Sequence, residues 1–211
     1  MRRIRPIHAV RIVLPAILSV VLFVITIFVV ILPRMERHMM NGRREMIREL
    51  TETVVSALEG LQEQVEKGDM ALEKAREEAT ILLRSLRYGR DRKDYFWVND
   101  MHPRLIVHPY RRDLEGEDIS QYADPAGKRL FVAFVDVVKA SGEGFVDYRW
   151  QWKDDPARVV PKISFVKGFA PWGWVVGTGI YVEDVRAEIA AITRNVTYLC
   201  LWIFLAMAGI C

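Results

Sequence analysis

Asp94-Tyr95-Phe96-Trp97-Val98-Asn99-Asp100, Pro161-Lys162-Ile163-Ser164-Phe165-Val166-Lys167 and Pro171-Trp172-Gly173-Trp174-Val175-Val176-Gly177-Thr178-Gly179-Ile180-Tyr181 are three runs of one stretch, Asp94 to Val185, and their reading decides the fold. Short runs of β-branched and aromatic residues, separated by Gly, Pro, Asn and Asp, are what a small antiparallel sheet requires. Tyr95 to Asn99 reads as a first strand, Asp100-Met101-His102-Pro103 as a turn, and Leu105 to His108 as the strand that pairs back. The third strand has a period of two: Val146, Tyr148, Trp150 and Trp152 face one way, Asp147, Arg149 and Gln151 the other. Val159 to Gly168 is a fourth strand after the turn at Lys153-Asp154-Asp155-Pro156. Trp174 to Tyr181 is the fifth; it is almost wholly apolar, as a central strand is, and Gly177 and Gly179 permit close backbone approach.

Working outward, Tyr110 to Tyr122 is charged and broken, so it reads as loop. Asp124-Pro125 reads as the start of a helix with proline in its first turn, burying Leu130, Phe131, Phe134, Val135 and Val138 and ending at Ser141-Gly142-Glu143-Gly144. Upstream, Met70 to Arg87 is a helix with Leu72, Ala75, Ala79, Leu82, Leu83 and Leu86 on its apolar side, N-capped by Asp69 and ended by Tyr88-Gly89. The basic run Arg90 to Lys93 is then solvated loop. From Arg34 to Lys67 apolar residues recur at three- and four-residue spacing (Met39, Ile47, Leu50, Val54, Leu58, Leu61, Val65), the stripe of an amphipathic helix. That stripe packs on its own domain or on a second copy, and a homodimer is the expectation. Val182 to Arg194 is a closing helix.

The ends are apolar. Ile12 to Leu32 carries no charged side chain, and about 20 apolar residues at ~1.5 Å each cross the hydrocarbon core of a bilayer. The run exceeds the apolar core of a cleaved leader, and no small-x-small site follows before Pro33-Arg34-Met35-Glu36. Pro33 predicts a kink where this span meets the amphipathic helix. Val196 to Cys211 is a second uncharged run, slightly short for a span and without a basic anchor, so the expectation is a membrane helix that is cut short here with an output module downstream. Arg2, Arg3, Arg5 and Arg11 before the first span are matched by Arg34, Arg37, Arg43 and Arg44 after it; the short arginine-rich tail resists crossing, which places it in the cytoplasm and the middle domain outside. The resulting layout is a tail over 1–11, a span over 12–32, a domain over 34–194 and a second span over 196–211. A formal net charge of +3, spread along the chain, gives no basic face for nucleic acid. Both cysteines, Cys200 and Cys211, fall in the last apolar run, so the middle domain has no internal disulfide.

Leu86-Arg87-Tyr88-Gly89, Asp94-Tyr95-Phe96-Trp97-Val98, His108-Pro109, the Pro161–Lys167 run and Trp172-Gly173-Trp174-Val175-Val176-Gly177-Thr178-Gly179, in that order, resemble the single Cache domain of bacterial membrane receptors. The resemblance covers roughly Arg34 to Arg194, and the last two segments are its most specific part. It implies an α+β fold, a long N-terminal helix followed by a PAS-like five-stranded antiparallel sheet with flanking helices, set between two transmembrane helices. It also implies an extracytoplasmic sensor in the bacterial inner membrane that binds a small molecule, short-chain carboxylates among them, on one side of the sheet and passes a conformational signal to an output domain. A chemotaxis transducer is the first expectation; a histidine kinase, a cyclic-dinucleotide enzyme and a membrane-anchored interaction protein with an empty pocket are the alternatives. Arg90-Asp91-Arg92-Lys93 and Tyr110-Arg111-Arg112 depart from the common pattern and add positive charge near a pocket mouth.

A carboxylate held away from bulk water needs charge-assisted donors. Lys162, interrupting an apolar strand just after Pro161, is the first candidate, against a lysine that points to solvent. His108 is a second, against a histidine bonded to its local backbone, and Tyr148 a third; Ser164 lies in the same segment as Lys162. Trp97 and Trp150 wall a pocket, or are plain core. Catalytic and metal chemistry find little footing. Asp154-Asp155 and Glu77-Glu78 sit in exposed turn or helix contexts, and Gly177-Thr178-Gly179 lies inside a strand rather than after one. His102 and His108 lack a Cys or carboxylate at ligand spacing, and no nucleophile stands beside a base. Asn195-Val196-Thr197 abuts the membrane and carries no weight as a glycosylation signal. The sequence is therefore read as a non-enzymatic ligand binder without cofactor or metal.

Overall fold

The structure is a computed structural model that describes residues 6–210; Arg2, Arg3, Arg5 and Cys211 lie outside the described residues. By contacts the chain divides into two compact units, Gly42–Asp184 and the two terminal segments up to Asn41 and from Val185.

The terminal unit is helical. Helix α1 (Pro6–Ile25) runs into a π-helical stretch, Thr26–Ile31, and on into α2 (Leu32–Glu66). Pro33 has no N–H to give to the preceding turn, and the chain answers by widening the hydrogen-bond ring there, with the Leu32 N–H bonding the Ile27 carbonyl, instead of stopping. The few hydroxyls of the apolar run are satisfied within the helix, Ser19 by the Pro15 carbonyl at 2.8 Å and Thr26 by that of Leu22 at 2.8 Å, as a low-dielectric surrounding demands. Helix α5 (Val182–Ile210) continues without a break through Arg194. Among the described residues two helical segments, Ile17–Glu66 and Val182–Ala206, are long and apolar enough to cross a membrane. They expose Leu18, Leu22, Phe23 and Val29 on one and Leu199, Leu201, Trp202 and Phe204 on the other.

The unit Gly42–Asp184 is a six-stranded antiparallel sheet in the order β1-β2-β6-β5-β4, with β3 paired to β2. Its strands are β1 (Arg87–Tyr88), β2 (Asp94–Asp100), β3 (Leu105–Val107), β4 (Glu143–Trp152), β5 (Asp155–Phe169) and β6 (Trp174–Tyr181). The five expected strands are present, and β6 is central and buried along its whole length. The sixth strand, β1, occupies two residues expected at the end of a helix. It is too short to show a period, and only its pairing with Tyr95 and Asp94 defines it.

Each face of the sheet is covered. On one, α2 and α3 (Leu72–Ser85) lay Val54, Val55, Leu58, Ala75, Ala79 and Leu83 on Phe96, Val98, Trp174 and Val176. The α2 stripe, with Leu50, Leu61 and Val65 at its margin, is thus spent in the domain's own core, which removes the argument for a dimer that rested on it. On the other face, α4 (Leu130–Ser141) sets Leu130, Phe131, Phe134 and Val135 against Tyr95, Trp97, Val146, Tyr148, Trp150 and Val166.

Several expected boundaries move. The turn expected over Lys153–Pro156 narrows to Lys153-Asp154, because Asp155 and Pro156 already belong to β5. Asp69 does not cap α3, whose N-cap is Ala71; the Asp69 N–H bonds the Gln64 carbonyl beside Gly68 at φ +79° and so belongs to the end of α2. Helix α4 begins at Leu130, not at Asp124-Pro125. The Asp124 carboxylate instead accepts the N–H groups of Ala126, Lys128 and Arg149, each at 2.9 Å, so it closes a turn and caps the unpaired edge of β4. In β4 the alternation fails at its last residues: a bulge at Gln151/Trp152 turns Gln151 inward and leaves Trp152 half-buried.

Candidate ligand site

The register of four strands assembles the site. Lys162 on β5 lies opposite Tyr148 on β4 and Tyr181 on β6, and Ser164 lies opposite Val146 and Gly179. Trp97 on β2 lies opposite Gly177. With a period of two, Tyr95 and Trp97, Tyr148 and Trp150, and Lys162 and Ser164 share the face under α4. The two glycines are what lets them fit. A Cβ on Gly177 would collide with the Trp97 ring, and one on Gly179 with Ser164 Oγ, the Ile163 carbonyl and the Lys162 side chain.

Lys162 is 1% exposed, so it does not point to solvent. Its ammonium donates to Tyr95 Oη at 3.1 Å and, at 3.5 Å, to Tyr181 Oη. It lies 4.2, 4.7 and 5.3 Å from the ring centroids of Tyr95, Tyr181 and Trp97. Among the described residues none of the ion pairs within 4 Å involves it, although thirteen pairs hold other charged groups, Lys153–Asp91 and Lys93–Asp154 among them. Burial brings its pKa down to about 7; the negative charge of Asp94 opposes that shift and the positive charge of Lys153 adds to it. Aromatic faces and two hydroxyls are weak substitutes for an anion, and a buried cation so placed gains most from a carboxylate.

The hydroxyls around it are neutral donors. Burial pushes Tyr95, Tyr148 and Tyr181 up, so all three keep their protons. Tyr148 and Ser164 bond one another at 2.9 Å. The indole N–H groups of Trp97 and Trp150 are buried without a partner, two more donors on the same side of the sheet. His108 makes the local backbone bond weighed for it and also lies beside the cluster. Its Nδ1 accepts the Tyr110 N–H at 3.2 Å, the local backbone bond, while its ring lies 4.8 Å from Tyr95 and 5.4 Å from Trp150. Burial, and after it the charges of Lys162 and Arg111, hold its pKa well below the usual value, so it is a neutral imidazole. All six residues singled out in the sequence, Lys162, His108, Tyr148, Trp97, Trp150 and Ser164, are buried on or beside this cluster.

Sequence reasoning missed Tyr95 and Tyr181, the two hydroxyls in contact with Lys162. Tyr95 could have been found by stepping back two residues from Trp97; Tyr181 is brought to Lys162 only by cross-strand register, which leaves no local signal. Two of the extra positive charges are paired with acids. Lys93 pairs with Asp154 at 2.7 Å, and the Arg111 guanidinium pairs with Asp113 at 2.7 Å while donating to Tyr122 Oη at 3.2 Å. A cavity of about 290 Å³, lined by Arg111, Tyr122, Arg149, Trp150 and Val159 among others, adjoins the cluster through Tyr122 and Trp150.

The model of the single Cache domain 2 family matches residues 39–195. The methyl-accepting chemotaxis protein McpP of Pseudomonas putida is 36% identical over 168 residues, 80% of this chain and 30% of that protein. The sensor histidine kinase MctS of Rhizobium johnstonii is 34% identical over 156 residues, 74% of this chain and 32% of that protein. A solved Cache chemosensory domain described for carboxylic acid recognition is 37% identical with a TM-score of 0.65, over 69% of this chain and 97% of that one. The chain spans about a third of the length of the curated relatives it matches.

Proposed function

We propose, from the premise that this chain belongs to the single Cache domain 2 family, that it is the sensory part of a two-pass receptor of the bacterial inner membrane, its domain outside the cytoplasm, and that it binds a small carboxylate at Lys162. The observation that carries this reading is the buried Lys162 ammonium, surrounded by tyrosine hydroxyls and aromatic faces and, among the described residues, paired with no acid within 4 Å. One carboxylate oxygen accepts from Lys162 Nζ and Tyr95 Oη, and the unpartnered indole N–H groups of Trp150 and Trp97 are the remaining donors on that face. The aromatic walls leave an apolar lining that suits a short hydrocarbon tail better than a second charge. The relatives support a chemotaxis transducer, and one of them supports the second reading, a sensor histidine kinase. The two readings share this sensor and differ only in what lies downstream. A homodimer, expected from the sequence, is part of the proposal for the whole receptor.

Titration calorimetry of the chain in lipid nanodiscs with acetate, propionate, lactate, pyruvate, dicarboxylates and amino acids tests the reading. At least one monocarboxylate binds the wild type, and Lys162→Met weakens it by about 100-fold or more, the loss of ~3 kcal/mol that follows when one member of a buried charged pair is truncated. Unchanged affinity in that variant removes Lys162 from the site.

A further inference from the structure

Beyond the ligand site itself, the Tyr181 hydroxyl joins Lys162 to a second buried lysine. It accepts the backbone N–H of Lys153 at 2.9 Å and donates to the Gln151 carbonyl at 3.1 Å, while Lys162 Nζ reaches it at 3.5 Å. Lys153 is 5% exposed. It is the first residue of the two-residue turn between β4 and β5, at φ +52°, where glycine is favoured and a lysine is strained by ~1–3 kcal/mol. Its ammonium pairs with Asp91 at 2.6 Å, in the loop after Gly89, and with Asp184 at 3.2 Å, in the first turn of α5. Two more contacts hold that turn to the same hairpin, and a third braces the hairpin itself. Trp152 Nε1 donates to Asp184 at 3.2 Å, Arg158 pairs with Glu183 at 2.6 Å, and the Arg158 guanidinium lies 4.5 Å from the Trp152 ring centroid.

We propose that Lys153 is the positioning residue through which occupancy of the Lys162 site reaches the first turn of α5. The inference rests on the ligand reading above and adds its output route. A phenol oxygen has one proton to give and two lone pairs, and Tyr181 spends its proton on Gln151 and one lone pair on Lys153. Its long contact with Lys162 is the one that gives way when a bound carboxylate draws the ammonium hydrogens to itself. The hydroxyl then recentres on the bulge that holds Gln151 and Lys153. The strained turn has a relaxed alternative to move toward, and its movement alters the hold of Lys153 on Asp184 and Asp91 together. An anion beside Lys162 also offsets the positive field that Lys162 and Lys153 exert on each other. The ligand thus favours one of two arrangements of the hairpin by its differential contacts, which is all that a ligand can do to an equilibrium.

The test uses the full chain in nanodiscs with propionate as probe, calorimetry for affinity and amide hydrogen exchange for the first turn of α5 and the loop after Gly89. In the wild type, saturating propionate changes exchange at both segments by about threefold or more. Lys153→Met and, as a milder surface change, Asp184→Asn bind propionate within about threefold of the wild type yet lose the ligand-dependent change at α5. A merely structural role for Lys153 would shift exchange equally with and without propionate and leave the difference intact. Propionate binding by the wild type with no change at α5, or variants that keep the full change, overturns the inference alone. No binding of any monocarboxylate by the wild type overturns the ligand reading and the inference with it.

Discussion

The behaviour of the site turns on one proton. Empty, Lys162 has its pKa lowered to about 7 by burial, whereas in the unfolded chain it is that of an ordinary lysine. The unfolded chain therefore binds more protons between pH ~7 and ~10.5, and the stability of the empty domain rises with pH across that window. Carboxylate binding has the opposite sign, since it favours the charged ammonium. Affinity is flat from pH ~5.5 to ~7 and then falls by about tenfold per pH unit, with close to one proton taken up on binding at pH 8. Calorimetry at pH 6 and 8 in two buffers of different ionisation enthalpy measures this; an affinity constant from pH 6 to 9 would contradict it. Burial holds His108 well below its ordinary pKa, so the neutral imidazole is favoured beside Lys162. At this scale the sequence showed that Lys162 was out of place in an apolar strand, but not that it was buried. Burial depends on Tyr95, two residues before Trp97 on the same strand face, and on Tyr181, which register alone delivers.

Two elements decide whether that lysine has a place to sit. The glycines of β6 are needed for space, since both stand where a neighbouring strand's side chain crosses the backbone. Gly179→Ala forces Ser164, Lys162 or the β5 backbone to move. It lowers the melting temperature by roughly 3–10 °C, the effect of ~1–3 kcal/mol of overpacking, and weakens ligand binding as well. An unperturbed melting temperature and affinity in Gly179→Ala would show that the strands give way more easily than the contacts allow. The close approach at these glycines was legible in the sequence, although what approaches was not. The edge strand β4 depends on a residue 25 positions away in the chain. Burial of the Asp124 carboxyl raises its pKa, but the N–H groups of Arg149, Lys128 and Ala126 outweigh that and hold it below the usual carboxylate value. Its contribution is therefore present above pH ~4 and is lost as pH falls through the lowered value. Asp124→Ala costs ~1–3 kcal/mol near neutrality by denaturant unfolding, and the difference from wild type shrinks on acidification. A deficit independent of pH would place the effect elsewhere. Asp-Pro ahead of an apolar run is an ordinary helix-start signal, and nothing local distinguishes it from a cap reaching across to another strand.

For the molecule as a whole, the alternation of β4, the aromatic and β-branched runs of β2, β5 and β6 and the stripe of α2 all carried the fold in the sequence, because period and burial are written residue by residue. What was not legible arises from pairing between distant segments: strand β1, the bulge at Trp152 that hands its indole N–H to Asp184, and the two-lysine arrangement around Tyr181. Such features have no local period and follow from which strands become neighbours. The proposed carboxylate site places the Lys162 cation on the α4 face, with α2 and α3 covering the opposite face. The most direct test is a crystal structure of the chain with propionate. A carboxylate lying within about 3.2 Å of Lys162 Nζ, under α4 and between Tyr95 and Trp150, is the predicted result. Propionate bound on the α2 and α3 face, or confined to the cavity beside Arg111 and Arg149 while Lys162 still rests on Tyr95 and Tyr181, would contradict it.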